Sequence, residues 1–169
     1  CYGPAGSRIF ASVVIVHGDD KGLRFPWDIA PLQVVIIPIK DDKKVMAKAE
    51  ELRKKIQEFA SVEIDKSEKS AGEKFNYWEM KGVPIRIDLG LKDLEAKKIT
   101  LFRRDINKKV VIKERDLMKT IEKIAGETTK NLTNEADSLF EGRIKDTKSV
   151  SEIKKIIEEG KIARCGFCS

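Results

Sequence analysis

One stretch of the chain, KFNYWEMKGVPIRIDLGLKD at residues 74–93, combines flat rings with side chains of both charges. Its rings are Phe75, Tyr77 and Trp78, in a chain with only 7% aromatic residues. Arg86 offers a fork of hydrogen-bond donors, while Glu79 and Asp93 offer acceptors. Unpaired RNA bases are recognised by such sets, through stacking and through hydrogen bonds to exposed base edges. The stretch therefore predicts a site for a planar, polar ligand.

Packing is the alternative explanation for two of the rings. Phe75 and Trp78 are three positions apart, which places both on one side of a short helix predicted over 73–81. We favour packing for these two residues. The strand that follows, VPIRIDL at 83–89, alternates apolar and polar residues. The alternation predicts a polar face from which the head group of Arg86 points away from the core.

Positive charge is concentrated in one part of the chain. The net charge is +6, and residues 92–113 hold eight basic and three acidic side chains. Such a surface suits a polyanion, because phosphate contacts dominate nucleic-acid affinity. A solvated charged face is the alternative. If the first interpretation is right, Arg86 and Asp93 read bases, while Lys98 and Lys109 of a basic hairpin contribute affinity without sequence information.

Composition predicts a soluble globular protein. Hydrophobic residues make up 41% of the chain and charged residues 37%. No apolar run approaches the ~20 residues of a membrane-spanning helix, and no signal peptide is visible. Three cysteines are too few for a secreted disulfide framework, so we expect a cytoplasmic protein. The chain begins at Cys1 without an initiator Met, so we expect it to be part of a longer protein.

The order of predicted elements favours an α/β fold with a mixed sheet. Strands are predicted at 33–39, 61–65, 83–89, 98–104 and 109–113, and helices at 43–60, 73–81 and after 114. The stripe on the 43–60 helix is Val45, Ala49, Leu52, Ile56 and Phe59. The predicted core comprises Val34, Val35, Ile36, Ile37, Leu52, Ile56, Ile64, Ile85, Ile87 and Leu101. Ser149 and Glu152 have capping-box spacing at the start of a last helix.

The cysteine pair near the end of the chain has three interpretations. Cys165 and Cys168 form CGFC, which could be half of a zinc site, a redox dithiol or two ordinary thiols. A structural zinc usually has four ligands, so the other two would lie elsewhere. His17, beside two aspartates, has no nearby nucleophile and is assigned a structural role at a helix end. No Ser/His/Asp triad, Walker loop or dinucleotide fingerprint is present.

Residues 74–95, with the pattern W-E-x-K-G-V-P-x-R followed by G-x-K-D, resemble the anticodon-binding domain of archaeal/eukaryotic-like prolyl-tRNA synthetase nearly position by position. APLQVVIIPI resembles the first strand of that domain. GPAGSRIFASVVIVHGDDKGLRFPWDIAP resembles the end of the catalytic domain, with class II motif 3. The resemblance implies a five-stranded mixed sheet with three helices and a helical C-terminal extension. It divides the chain into 1–28 (end of the catalytic domain), 29–125 (anticodon-binding domain) and 126–169 (start of a zinc-binding-like domain).

The resemblance also implies residue roles. The residues that fall where the family contacts the guanines of the proline anticodon are Glu79, Arg86, Lys92 and Asp93, with Lys108 carried over from the hairpin. Arg8 matches the motif 3 arginine that binds ATP, Gly3 and Gly6 match the turn around it, and Cys1 and Tyr2 match the wall of the active site. Motifs 1 and 2 and the proline pocket are absent from these 169 residues. We therefore expect the chain alone to be inactive.

For the complete enzyme, the resemblance implies ATP with Mg²⁺ and, through the C-terminal tail, a structural Zn²⁺. The implied partners are the anticodon stem-loop of tRNA(Pro), the remainder of the catalytic domain and a second subunit in a homodimer, with no membrane. The alternative is a stand-alone interaction or regulatory module that reuses the fold without catalysis. A third interpretation is a small zinc or redox module built on Cys165 and Cys168.

Overall fold

The computed structural model describes Gly3 and residues 5–40 and 42–166. The helices are α1 (Gly6–His17), α2 (Lys43–Ile56), α3 (Ala71–Met80), α4 (Leu91–Glu95), α5 (Leu117–Arg143) and α6 (Val150–Glu158), and the strands are β1 (Val34–Pro38), β2 (Val62–Ile64), β3 (Ile85–Leu89), β4 (Lys98–Arg103), β5 (Lys108–Lys113), β6 (Ile144–Asp146) and β7 (Ile162–Arg164). None of the helices in this part of the chain is long and apolar enough to cross a membrane.

Five strands form one mixed sheet in the order β2-β1-β3-β4-β5. β1 pairs in parallel with β2 and β3, while β4 runs antiparallel to β3 and to β5. The parallel pairs require crossover helices, which α2 and α3 supply, and the antiparallel β4–β5 pair needs only a hairpin turn. The α/β fold with a five-stranded mixed sheet is confirmed, with the short α4 as an addition that the sequence did not reveal.

The two faces of the sheet are covered differently. On one face, α2 and α5 bury the larger core, in which Ile36, Ile87 and Leu101 are fully enclosed. On the other face, α3 packs Phe75 and Trp78 over Val35 and Ile37. The outer part of this second face is open, because Val111 of β5 is 60% exposed. All ten predicted core residues are buried, so that prediction is confirmed.

Local sequence signals explain where the crossover helices begin. The side chain of Asp42 accepts hydrogen bonds from the backbone N–H groups of Lys44 and Val45 and so caps α2. Asp41, the residue before this cap, lies outside the described residues. Ser70 and Glu73 form a capping box at the start of α3. Gly82 follows α3 with φ +75°, the left-handed conformation that glycine adopts at helix ends.

Three local predictions were wrong. α2 ends at Ile56, and Phe59, predicted as the last residue of its stripe, is 43% exposed. The polar face of β3 does not point to solvent, because α3 covers it and every residue of the strand is buried. The predicted capping box at α6 does not form: the side chain of its N-cap, Ser149, makes no capping hydrogen bond, and Glu152 accepts from the hydroxyl of Thr147.

The described residues form two compact units, divided between Leu132 and Thr133. The second unit contains β6 and β7, which pair in parallel with α6 between them. Arg164 of β7 donates to both carboxylate oxygens of Asp146 in β6, at 2.5 and 2.8 Å. α5 runs through the domain boundary predicted at 125/126. The three predicted domain ranges remain a prediction.

Candidate nucleic-acid interface

A buried ion-pair cluster lies under α3. Arg86 is only 3% exposed. Its Nε donates to Asp88 Oδ1 at 2.8 Å, and its Nη1 donates to Glu79 Oε1 at 2.6 Å. Alternation along β3 places Arg86 and Asp88 on the same face, and α3 brings Glu79 over them. The three charged groups therefore form one fixed unit.

Two phenylalanine rings enclose the guanidinium of this cluster. Arg86 Cζ lies 3.9 Å from the ring centroid of Phe75 and 4.4 Å from that of Phe102. Cation–π contacts of this kind stabilise and orient the guanidinium plane. Phe75, predicted to pack, does pack, but it also contacts the arginine. Trp78 also packs on this face of the sheet, and its indole Nε1 donates to Asp65 Oδ2 at 2.7 Å.

The cluster opens into a cleft of about 760 Å³ between α3, the outer sheet and the loop after α1. Phe75, Glu79, Arg86, Phe102 and Lys109 line it from the sheet and α3, and Asp19–Gly22 line it from the loop. Lys109 pairs with Phe102 across the β4–β5 ladder, which puts both on the open face of the sheet. Its Nζ lies 3.7 Å from Asp88 Oδ2. Aromatic rings, an acidic group and an exposed cation thus face one accessible space.

A second buried arginine fixes the loop wall of the cleft. Arg104, 1% exposed, donates from Nη1 and Nη2 to the two carboxylate oxygens of Asp19, at 2.7 and 2.5 Å. Its Nε also donates to the backbone carbonyl of Glu79 at 3.0 Å. One side chain therefore ties the loop to the end of α3. Gly22 lies so close to Met80 that an added Cβ would come within 2.5 Å of the Met80 Cα.

The Asp19–Arg104 pair predicts a pH-dependent contribution to stability. Hydrogen bonds from Arg104 hold the pKa of Asp19 well below its ordinary value of 3.8. A carboxyl group with a pKa lowered by folding stabilises the protein above its unfolded pKa, and this stabilisation is lost as the pH falls through the folded pKa. We expect the difference in unfolding free energy between the wild type and Asp19→Asn to be constant above pH ~5 and to shrink below it. Urea titrations at several pH values measure this difference.

Asp20→Asn provides the matched control, because it removes a carboxylate from the same loop. Asp20 is exposed, and a substitution there should change stability by less than ~0.5 kcal/mol. A wild-type advantage over Asp19→Asn that stays unchanged down to pH 2 would contradict the prediction.

The predicted base-reading residues are only partly brought together. Glu79 and Arg86 are in contact, but Arg86 is buried rather than pointing to solvent as expected. Lys92 and Asp93 lie on α4, and within the described ranges neither forms an ion pair with the cluster. Lys108 of β5 pairs with Arg103 of β4, on the side of the sheet away from the cleft. Its neighbour Lys109 pairs with Phe102 and therefore faces into the cleft. The roles of these residues remain predictions.

Reasoning from sequence missed four residues that shape the cleft: Asp88, Phe102, Lys109 and Lys21. The strand pairing contains the signal for two of them. Once Arg86 is paired with Phe102, and Phe102 with Lys109, all three must share one face of the sheet. The sequence predicts only a general phosphate contact for Lys109. Nothing in the sequence places Lys21 in the cleft, since its position depends on Arg104, far away along the chain.

The other predicted sites lie at the two ends of the chain. Arg8 is exposed in the first turn of α1, Gly6 begins that helix, and Gly3 has φ +96°. Cys1 and Tyr2 lie outside the described residues. Cys165 is a free, exposed thiol, and Cys168 also lies outside the described residues. Between Gly3 and Gly166, the described part of the chain has no cluster of three or more His, Cys, Asp or Glu side chains that could hold a metal.

Comparison with known proteins places this cleft in a family. Residues 33–124 match the family described as Anticodon binding domain. The chain belongs to the anticodon binding domain family. The matched residues include the five strands of the sheet and α2 and α3, so the cleft lies on the matched anticodon-binding domain, apart from its loop wall at 19–22.

Relatives extend the similarity over nearly the whole chain. The chain is 44% identical to a proline–tRNA ligase of Methanocaldococcus jannaschii over 165 residues, which is 94% of the chain and 36% of that ligase. It is 37% identical to one of Thermofilum pendens over 174 residues, 99% of the chain and 36% of the relative. A proline–tRNA ligase of Clostridium novyi is 40% identical over 153 residues, with 90% and 32% coverage. The chain spans about a third of the length of these relatives.

Proposed function

We propose that this chain recognises the anticodon of tRNA(Pro) as the C-terminal part of a proline–tRNA ligase, an enzyme that charges tRNA(Pro) with proline using ATP. The observation that carries the proposal is the cleft over the anticodon-binding sheet, where Glu79 is held by a buried arginine between two rings. The similarity of almost the whole chain to proline–tRNA ligases supports it.

The cleft suits an unpaired base for electrostatic reasons. Arg86 occupies one lone pair of Glu79 Oε1 and fixes the carboxylate, which leaves Oε2 and the remaining lone pairs free to accept from a base edge. A fixed acceptor binds a base edge more tightly than a mobile one, because little conformational entropy is lost when the base binds. The half-buried ring of Phe75 offers a surface for base contact, and Lys109 offers a cation for a phosphate or a base.

The role we propose for Arg86 differs from the direct base reading that its sequence position suggests. Its guanidinium is buried between the rings and both carboxylates, so its main contribution to recognition is to position Glu79. Lys92 and Asp93 follow the carboxyl end of β3 and would contact a neighbouring nucleotide of the anticodon. Lys108, on the opposite side of β5 from the cleft, would contribute general attraction to the tRNA.

Replacing Glu79 with glutamine tests the base-reading role. The amide keeps the size of the side chain but replaces one acceptor oxygen with a donor, so a guanine edge loses a hydrogen bond and meets a mismatched group. We expect a loss of ~1–3 kcal/mol in binding a proline anticodon stem-loop, and a much smaller loss for a stem-loop with both guanines replaced. Fluorescence anisotropy with labelled RNA and the 169-residue chain measures both.

Glu63→Gln serves as the control for Glu79→Gln. Glu63 is an exposed residue of β2, at the opposite edge of the sheet from β5, and its substitution should leave both affinities unchanged. Equal weakening of the two RNAs by Glu79→Gln would show that Glu79 only supports the fold.

The N-terminal segment is proposed to be the end of the ligase's catalytic domain. Arg8, with Gly3 and Gly6 before it, would face the phosphates of ATP, since an exposed guanidinium in the first turn of a helix acts together with the positive end of the helix dipole. In the complete enzyme, ATP would be bound with Mg²⁺. The domain ranges 1–28, 29–125 and 126–169, the homodimer, the cytoplasmic location and a Zn²⁺ held in part by Cys165 and Cys168 belong to this same proposal.

The 169-residue chain by itself should have no aminoacylation activity. It carries one of the three class II motifs, and activation of an amino acid requires a complete constellation that positions ATP and proline together. Proline-dependent ATP–pyrophosphate exchange by the purified chain should therefore equal the background without protein. Exchange that depends on proline and disappears in Arg8→Ala would show that the chain is catalytically complete.

A further inference from the structure

The loop Asp19–Gly22 lines the cleft and is held in place by the rest of the domain, although it precedes the residues that match the family. Arg104 anchors it through Asp19, and Asn107 Nδ2 donates to Asp19 Oδ2 at 3.3 Å. The backbone N–H of Leu23 donates to the carbonyl of Met80 at 3.0 Å. These contacts fix the backbone on both sides of Lys21, so the position of Lys21 over the cleft is set by the fold.

Lys21 lies beside the acceptor that the cleft presents. Its Nζ is 3.8 Å from Glu79 Oε2, and the two side chains are 54% and 14% exposed. At this distance the ammonium does not form a hydrogen bond with the carboxylate, so its three donors remain available. Arg86 already neutralises Glu79 from below at 2.6 Å. Lys21 is therefore not needed to compensate a buried charge.

A donor next to a pair of acceptors matches one base edge in particular. The Watson–Crick edge of guanine presents the O6 acceptor next to the N1–H and N2–H donors. We propose that Lys21 is a specificity-determining residue that donates to O6 of an anticodon guanine while Glu79 accepts from N1 and N2 of the same base. This inference rests on the proposed function, since it assigns a further residue to the same cleft.

The same arrangement rejects adenine. Adenine places its N6 amino donor opposite the ammonium and its N1 acceptor opposite the carboxylate, so both contacts become repulsive or unpaired. Discrimination that combines a matched attraction with a mismatched repulsion is stronger than either alone. A lysine that only bound phosphate would give no such preference, because phosphates are the same beside every base.

The test measures binding of anticodon stem-loops to the 169-residue chain by fluorescence anisotropy, with each guanine replaced in turn by adenine. Lys21→Ala should weaken binding of the unmodified loop about 10-fold and reduce discrimination at a single guanine. That guanine should be the one at which Glu79→Gln also reduces discrimination. Lys54→Ala is the matched control, because it removes an exposed lysine on α2, across the sheet from the cleft.

Base analogues separate the two atoms of the contact. Replacing the guanine with 6-thioguanine weakens the O6 acceptor, and it should cost affinity in the wild type but not in Lys21→Ala. Inosine lacks the N2 amino group, and its cost should be equal in the two proteins.

The outcomes distinguish this inference from the proposed function. If the wild type binds loops with and without the guanines equally, the proposed function fails. If the wild type discriminates but Lys21→Ala weakens every loop by one factor, Lys21 is a phosphate contact and the inference alone is overturned. The inference would also be overturned if Lys21→Ala and Glu79→Gln lost discrimination at different guanines.

Discussion

Arg86→Ala should lower the free energy of unfolding by about 3–5 kcal/mol, which is the usual cost of removing one partner from a buried ion pair. Asp88 is 2% exposed and would be left without its main partner. Glu79, 14% exposed at its side chain, can turn towards Lys21, so most of the cost arises at Asp88. The rings of Phe75 and Phe102 would also lose the guanidinium between them. Chemical denaturation followed by tryptophan fluorescence measures the change.

Two further variants show whether charge burial is the cause. Arg86→Met with Asp88→Leu removes both charges and fills similar space, so it should recover most of the lost stability. Arg53→Ala removes an arginine from α2 that has an exposed partner, Glu50, at 3.5 Å, and it should cost less than ~1 kcal/mol. A double variant as unstable as Arg86→Ala would show that lost packing, not an unpaired carboxylate, dominates.

The parts of the fold that could be predicted are those with a strong period. β1 is five apolar or β-branched residues, all buried, and the stripe from Val45 to Ile56 repeats at helical spacing. Phe59 continues the helical spacing of this stripe in the sequence, but it lies beyond the end of α2. The chain turns after Ile56, and the Phe59 ring instead lies 6.1 Å from that of Trp27, which no local pattern could reveal.

The prediction that Arg86 points away from the core was wrong for a different physical reason. Alternation along β3 correctly separated Ile85 and Ile87 from Arg86 and Asp88, but a period of two does not say what covers the second face. α3 covers it, and the charges become buried because they neutralise each other. Which of Lys108 and Lys109 faces the cleft likewise depends on the register of β5. A shift of the register by one residue would move every side chain of the strand to the other face of the sheet.

The loop wall of the cleft was beyond prediction because it depends on contacts between distant residues. Asp19 and Arg104 are 85 positions apart, and either could have been a solvated charge. No local pattern in the sequence links these two residues. Their pairing makes an apparent connecting segment part of the cleft wall, and it explains why the cleft extends past the residues that match the family.

Gly22→Ala should detach this loop from α3. Gly22 has φ +126°, which residues with a side chain rarely adopt, and its added Cβ would lie 2.5 Å from the Met80 Cα, where backbone cannot give way. The conformational strain is worth ~1–3 kcal/mol and the overlap a similar amount. The loop is peripheral, so the protein can relieve the strain by releasing it. We expect a loss of stability of roughly 2–4 kcal/mol, limited by what the docked loop contributes.

Hydrogen exchange of the Leu23 amide provides the local measurement. Its N–H donates to the Met80 carbonyl in the docked loop, so its exchange should become faster in Gly22→Ala, while amides of β1 keep relative protection. Gly126→Ala is the matched control, because Gly126 lies in α5 with no atom within 4 Å of an added Cβ. That change should stabilise the protein by up to ~1 kcal/mol. If Gly22→Ala leaves both stability and Leu23 exchange unchanged, the loop is not held against α3, and Lys21 has no fixed position beside Glu79.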